Sequence, residues 1–218
     1  MLTPFTERGE AGGADSLFAT CQSRKIFWLS LEERVNIAAF VKRQAHIPVI
    51  ASGHVSCAPE AQAEELCRVA ETGRFRFMKG TCCDIAIIRE RLKALESTCL
   101  QLYNANTSTL LDSLRVGTAG FAGIMASFHP ELYARLLAHP EDSRADVLQA
   151  ALTQFSLIER QLYPVNAKYH LQRMSLPVTL RSRAQDCRLL TPTFMDEVRQ
   201  LERMTDYLKN TLLAGEKL

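Results

Sequence analysis

Lys79 is the residue whose type and setting most directly suggest chemistry. It lies in the run Arg74-Phe75-Arg76-Phe77-Met78-Lys79, and Gly80 breaks the chain just behind it. Aromatic residues alternate here with arginines, the pattern of a short strand. Asp84 then stands as an N-cap before Ile85 to Leu95, a strong helical pattern. The lysine is therefore expected at the carboxyl end of a strand, before a strand-to-helix loop, where α/β folds bind ligands. An ε-amine held there and partly desolvated can shed its proton near neutral pH and attack a carbonyl to form a Schiff base. The alternative is a solvated lysine at a strand end, the ordinary state of this residue type.

Other reactive side chains have plainer readings. Cys82 and Cys83 are adjacent, and adjacent cysteines rarely bridge each other or share one metal. They read as small residues packed at a helix start, although a thiol there can become oxidisable. His54, Ser56 and Cys57 share a loop, but the sequence supplies no oriented base or oxyanion hole to make a hydrolytic set. Asn104-Ala105-Asn106 either lines a pocket at the same sheet end as Lys79 or only turns the chain into a helix capped by Thr107. No metal site and no cofactor are expected.

The elements that position these residues follow a rhythm. A short strand is expected at Ser16–Thr20 and a helix from Leu31 to about Gln44, with Ser30 and Glu33 forming a capping box. Ile47–Ala51 is apolar without alternation, as in a parallel strand buried on both faces. A helix opening at Pro59 comes next, then the lysine strand at Arg74–Lys79 and its helix. Strands are expected at Cys99–Tyr103 and Gly120–Ala126, with one helix capped by Thr107 and running through about Arg115 and another from Pro130 to Leu137. Beyond Ser143 the alternation stops, and helices are expected at about Arg144–Leu162, Val165–Met174 and Thr193–Leu213. Strand, loop and helix recur about every 25 to 30 residues, the βα pattern of parallel α/β proteins.

Composition narrows the function. The 218 residues are 47% hydrophobic and 23% charged, typical of a globular rather than a disordered chain. A net charge of +2 argues for neither nucleic acid nor an anionic membrane as partner. No apolar run approaches the length of a membrane span. Seven cysteines without a regular framework, and a start lacking a signal-peptide plan, lead to an expected cytoplasmic location with free thiols.

Taken in order, several stretches resemble the dihydrodipicolinate synthase and N-acetylneuraminate lyase family, class I aldolases on a TIM barrel. They are Leu2-Thr3-Pro4-Phe5, Gly13 to Ala19, Leu29 to Arg34, Ile47 to Ala51, Met78 to Thr81, Gly117 to Phe121 and Ala126 to Leu132. The resemblance implies an α/β fold of TIM-barrel-derived parallel βα units over residues 1–142, with a C-terminal helical region at 143–218. It also implies an incomplete barrel of at most six strands. The family's first helix has no counterpart between Glu10 and Gly12, and two βα units have none between Gly73 and Arg74. Roughly 80 residues are thus absent relative to a complete barrel of ~250 with its C-terminal helices.

The family forms an imine between pyruvate and a strand-end lysine, and Lys79 falls at that place. The loop that holds the pyruvate carboxylate corresponds to Cys21-Gln22-Ser23, where Ser23 keeps a hydroxyl and Gln22 replaces a threonine. Ala122 matches a residue whose backbone faces the pyruvate. The family's proton-shuttling tyrosine would lie in the missing segment, and Tyr103 falls on a different strand. The resemblance therefore implies a pyruvate-dependent lyase or aldolase, homo-oligomeric and without a cofactor, expected to form the imine weakly with slow or absent turnover. The alternative is a non-catalytic remnant acting as an interaction protein.

Overall fold

The computed structural model describes residues 17–20, 29–46, 49–51 and 77–212. The strands are β1 (Leu17–Thr20), β2 (Val49–Ala51), β3 (Phe77–Gly80), β4 (Gln101–Asn104) and β5 (Gly120–Phe121). The helices are α1 (Leu31–Gln44), α2 (Ile85–Leu95), α3 (Leu110–Arg115), α4 (Pro130–Ala138), α5 (Ala145–Phe155), α6 (Val165–Arg173) and α7 (Pro192–Leu212). Every described strand pair is parallel: β1 with β2, and β3, β4 and β5 in that order. This is the α/β class the βα pattern predicts. Among the described residues, no helix is long and apolar enough to cross a membrane.

The chain divides into two compact units. One comprises residues 1–57, 124–134 and 157–218, the other residues 58–123 and 135–156. In the first, β1 and β2 pair in parallel with Leu17 opposite Val49 and Phe18 opposite Ile50. Helix α1 begins as its sequence dictates. The Ser30 side chain accepts from the Glu33 amide at 3.1 Å, and the Glu33 carboxylate accepts from the Ser30 amide at 2.8 Å. Two orphan donors are thereby satisfied at once. In the same unit α6 packs on α7, burying Val165, Leu171, Val198 and Leu201.

The second unit holds the three-stranded sheet. Its helix α2 starts at Asp84, whose carboxylate accepts from the Ala86 amide at 2.8 Å. The apolar side of α2 packs Ile88 and Leu95 against Leu100 and Leu102, with Met78, Ile85, Leu92 and Val116 around them. Burying a leucine or isoleucine stabilises by roughly 1.5–3 kcal/mol, so this cluster fixes α2 against the sheet.

Four expectations about elements change. Gly120–Ala126 is a strand only at Gly120–Phe121, and Ile124–Ser127 is instead a 3₁₀ turn. The helix expected over Arg144–Leu162 is α5, ending at Phe155, followed by a 3₁₀ segment at Ser156–Arg160. There the Ser156 hydroxyl donates to the Thr153 carbonyl at 2.7 Å, and the Ser156 amide bonds back to the Leu152 and Gln154 carbonyls. Third, α3 begins at Leu110 rather than at Thr107. Its start is held by Gln149 of α5, which accepts from the Leu111 amide at 2.9 Å and donates to the Thr107 carbonyl at 2.7 Å. Fourth, the lysine strand is described from Phe77 and runs to Gly80; Arg74, Phe75 and Arg76 lie outside the described residues.

Candidate functional site

Lys79 lies one residue before the carboxyl end of β3, opposite Tyr103 of β4. Tyr103 in turn lies opposite Gly120 of β5. Paired residues of a parallel ladder share a face, and residues two apart along a strand do too. Phe77, Lys79, Tyr103 and Gly120 therefore form one face. Met78, Gly80, Leu102 and Asn104 form the other, on which Met78 and Leu102 pack against α2. Lys79 thus points away from that helix layer and is half-buried.

The strand ends beside Lys79 are tightly built. Asn104 is 2% exposed, and its side chain bonds three neighbours. Its amide nitrogen donates to the Thr109 and Ser113 hydroxyls, each at 3.0 Å. Its carbonyl oxygen accepts from the Asn106 amide at 2.8 Å. Thr118 donates to Ser113 at 3.0 Å, which extends the network. Asn106 accepts from the Thr109 amide at 3.1 Å. The Asn104-Ala105-Asn106 segment therefore uses its side chains to turn the chain into α3. A buried network satisfied in this way rigidifies the strand end that carries Tyr103.

Ala122 continues the β5 ladder, donating its amide to the Asn104 carbonyl at 2.8 Å. That N–H is used within the sheet. Since β4 separates them, the β3 and β5 backbones lie roughly 10 Å apart. Lys79 and Ala122 thus flank Tyr103 at one sheet end. Gln22 and Ser23 lie outside the described residues, as do His54, Ser56 and Cys57. The Cys82 sulfur accepts from the Asp84 amide at 3.3 Å and helps close the turn into α2. Cys82 and Cys83 are free thiols. No group of three or more metal-ligating side chains occurs among the described residues.

Tyr103 is the neighbour of Lys79 that the sequence did not reveal. Its neighbourhood depends on register with two other strands, which only the ladder supplies. Its ring rests above Gly120: a Cβ built there would stand 2.8 Å from the Tyr103 Cε1 and 3.3 Å from the Leu137 Cδ2. Phe77 meets the same ring edge-on, with centroids 5.6 Å apart. Gly120→Ala is expected to displace this ring and lower stability by about 1–3 kcal/mol, as overpacking does. Thermal or urea unfolding of the variant measures it.

A second polar cluster, equally unannounced by the sequence, lies in the other unit around a cavity of about 190 Å³. His129 is fully buried, stacked on Tyr133 at 5.6 Å and 3.4 Å from the Thr205 hydroxyl. His170, stacked on Phe128, sets its Nδ1 2.9 Å from the Glu202 carboxylate, which also accepts from Arg173 at 2.7 Å. Those hydrogen bonds hold the Glu202 carboxyl below its ordinary range against the opposing effect of its burial. Burial is also the main force on His129, and the charges of His170 and Lys209 add to it, lowering its pKa from 6.5 to about 3. The cluster ties α7 to Phe128, His129 and α6.

No protein-family model matches the sequence, and no curated protein matches it by sequence. Solved structures do match. A dihydrodipicolinate synthase family protein from Coccidioides immitis is 14% identical, covers 92% of this chain and 87% of its own, and has a TM-score of 0.72. A dihydrodipicolinate synthase from Cyanidioschyzon merolae, solved with lysine bound, is 15% identical over 89% of this chain and 87% of its own, with a TM-score of 0.73. N-acetylneuraminate lyase from Fusobacterium nucleatum, complexed with pyruvate, is 12% identical over 88% of this chain and 65% of its own, with a TM-score of 0.61. From these likenesses and the parallel ladders, the chain has the TIM-barrel-derived α/β fold of the dihydrodipicolinate synthase and N-acetylneuraminate lyase structures.

Proposed function

We propose that this protein binds pyruvate as an imine on Lys79 and acts as a class I lyase or aldolase. The observation that carries the reading is a half-buried lysine at the carboxyl end of β3, on the sheet face turned away from α2. A similarly folded lyase solved with pyruvate supports the choice of a 2-oxo acid. In the proposed reaction the neutral Lys79 amine attacks C2 of pyruvate and water leaves. The resulting iminium draws electrons from C3, which loses a proton to give an enamine. That carbon then attacks an aldehyde, or the reverse step releases one. Ser23, with Gln22 beside it, is proposed to hold the carboxylate by its hydroxyl, and the Ala122 carbonyl faces the bound acid.

One observation favours a second reading, a non-catalytic relative that serves as an interaction protein. Phe77 shares the Lys79 face yet remains 55% exposed, where a closed catalytic cavity would cover it. Enamine formation separates the two. With pyruvate in heavy water, the active protein exchanges the methyl protons for deuterium faster than a protein-free control, read by proton NMR. Exchange equal to the control removes the lyase reading and leaves the interaction protein.

A further inference from the structure

We propose that the cavity of about 190 Å³ beside α6 and α7 is a binding site for a small organic ammonium, a primary amine on a compact apolar body. Every residue lining this cavity belongs to the compact unit that does not contain Lys79. The inference is therefore independent of the pyruvate reading.

Three observations set the chemistry of the ligand. The first is charge. Arg173 bonds the Glu202 carboxylate at 2.7 Å and Lys209 bonds Glu131 at 2.9 Å, so both cations of the cavity wall are already matched. Asp206 also lines the cavity, is exposed, and has no ion pair among the described residues. With the imidazoles neutral, one negative charge is left over, which attracts a cation and repels a carboxylate.

The second is hydrogen bonding. A carboxylate only accepts, so the 2.9 Å contact with Glu202 places the proton of a neutral His170 ring on Nδ1. Nε2 then carries a lone pair. The ring is 6% exposed, and Nε2 has no hydrogen-bond partner among the described residues. An unmet buried acceptor is costly, and an N–H donor brought to it removes that cost. Asp206 stands four residues after Glu202 on α7, on the same helix face, so the free carboxylate and the His170 ring belong to one neighbourhood. A primary ammonium has N–H donors enough for both.

The third is shape. Buried Phe128 and Leu201 give the cavity apolar walls, and exposed Met174 stands with Asp206 where it meets solvent. A water molecule takes up roughly 30 Å³, whereas a cavity of about 150 Å³ encloses benzene. The space here suits a single ring or a short aliphatic body rather than one water.

Benzylamine is the probe, titrated into the 218-residue chain at neutral pH by calorimetry, with benzoate and benzyl alcohol as controls of the same body. Benzylamine is expected to bind with a Kd on the order of 1 mM, the range open to so small a ligand. Benzoate should bind at least about tenfold more weakly, as should benzylamine to Asp206→Asn, the loss of one charge-assisted hydrogen bond. Asp206 is exposed, so that variant keeps its fold, which circular dichroism checks. His170→Phe retains a ring against Phe128 but removes the acceptor, and it should weaken binding in the same direction. Lys79→Ala should bind benzylamine as wild type does. No binding to wild type at about ten times the expected Kd overturns the proposal. So does benzoate binding as tightly as benzylamine, undiminished binding in Asp206→Asn, or loss of binding in Lys79→Ala.

Discussion

Lys79→Ala is expected to abolish both imine trapping and methyl exchange with pyruvate while leaving the protein folded. Nothing else on the Lys79 face carries an amine among the described residues, so activity should fall to the protein-free rate rather than by a graded factor. Lys79→Arg should fail equally. It keeps the positive charge, but a guanidinium stays protonated in proteins and is no nucleophile here. The pair of variants thereby separates the charge of Lys79 from its chemistry. Stability should change by about 1 kcal/mol or less, because a half-buried strand-end lysine contributes little to a core. Unfolding curves run beside the exchange assay check this. A Lys79→Arg variant that still exchanges the methyl protons would place the reactive amine elsewhere.

Acidification is expected to destabilise the protein steeply, and His129 is the reason. Its ring is fully buried beside Tyr133 and Thr205, with its pKa lowered to about 3. The unfolded chain takes up a proton there near pH 6.5, whereas the folded chain resists it down to about 3. Above 6.5 the ring is neutral in both states and its contribution to stability is complete. As pH falls from 6.5 toward 3, the unfolded state binds the extra proton and stability is lost progressively. At 1.36 kcal/mol per pKa unit the whole loss is on the order of 5 kcal/mol, comparable with the net stability of many domains.

Carboxylates act in the same direction but lower on the scale. Glu202 and Asp142 are both held below their ordinary values, so their contributions fade only below about pH 4.5. The interval from 6.5 to 4.5 therefore reports chiefly on His129, where roughly 2–3 kcal/mol should disappear. Urea unfolding at stepped pH values measures the slope. In His129→Gln and His129→Phe, each compared with its own stability at pH 7, the slope in that interval should flatten. An equally steep slope in both variants would assign the acid sensitivity to other groups.

What could be read from the sequence follows the range of the interaction responsible. The Ser30–Glu33 box and the Asp84 cap are contacts within three residues, so their residue types and spacing suffice. Val49–Ala51, the described part of the apolar run Ile47–Ala51, is a strand for the same local reason. The end of α5 and the start of α3 were not legible. The first depends on a serine hydroxyl bonding back into the turn, and the second on Gln149, whose bond to the Leu111 amide spans 38 residues. At Gly120–Ser127 a glycine-laced apolar run reads equally well as strand or turn. The candidate site divides in the same way. Lys79 was visible from its own neighbours, whereas Tyr103 became its partner only through the β3–β4 register. The pairing of His129 with Thr205 joins residues 76 apart, beyond any local pattern.

The central claim is a covalent bond between pyruvate and one named amine. Reduction of the 218-residue chain with borohydride in the presence of pyruvate, followed by intact mass and peptide mapping, tests it most directly. The account predicts one pyruvate-derived adduct per chain, located on Lys79, absent without pyruvate and absent from Lys79→Ala. A folded protein that gains no adduct, or carries it on another lysine, contradicts the account.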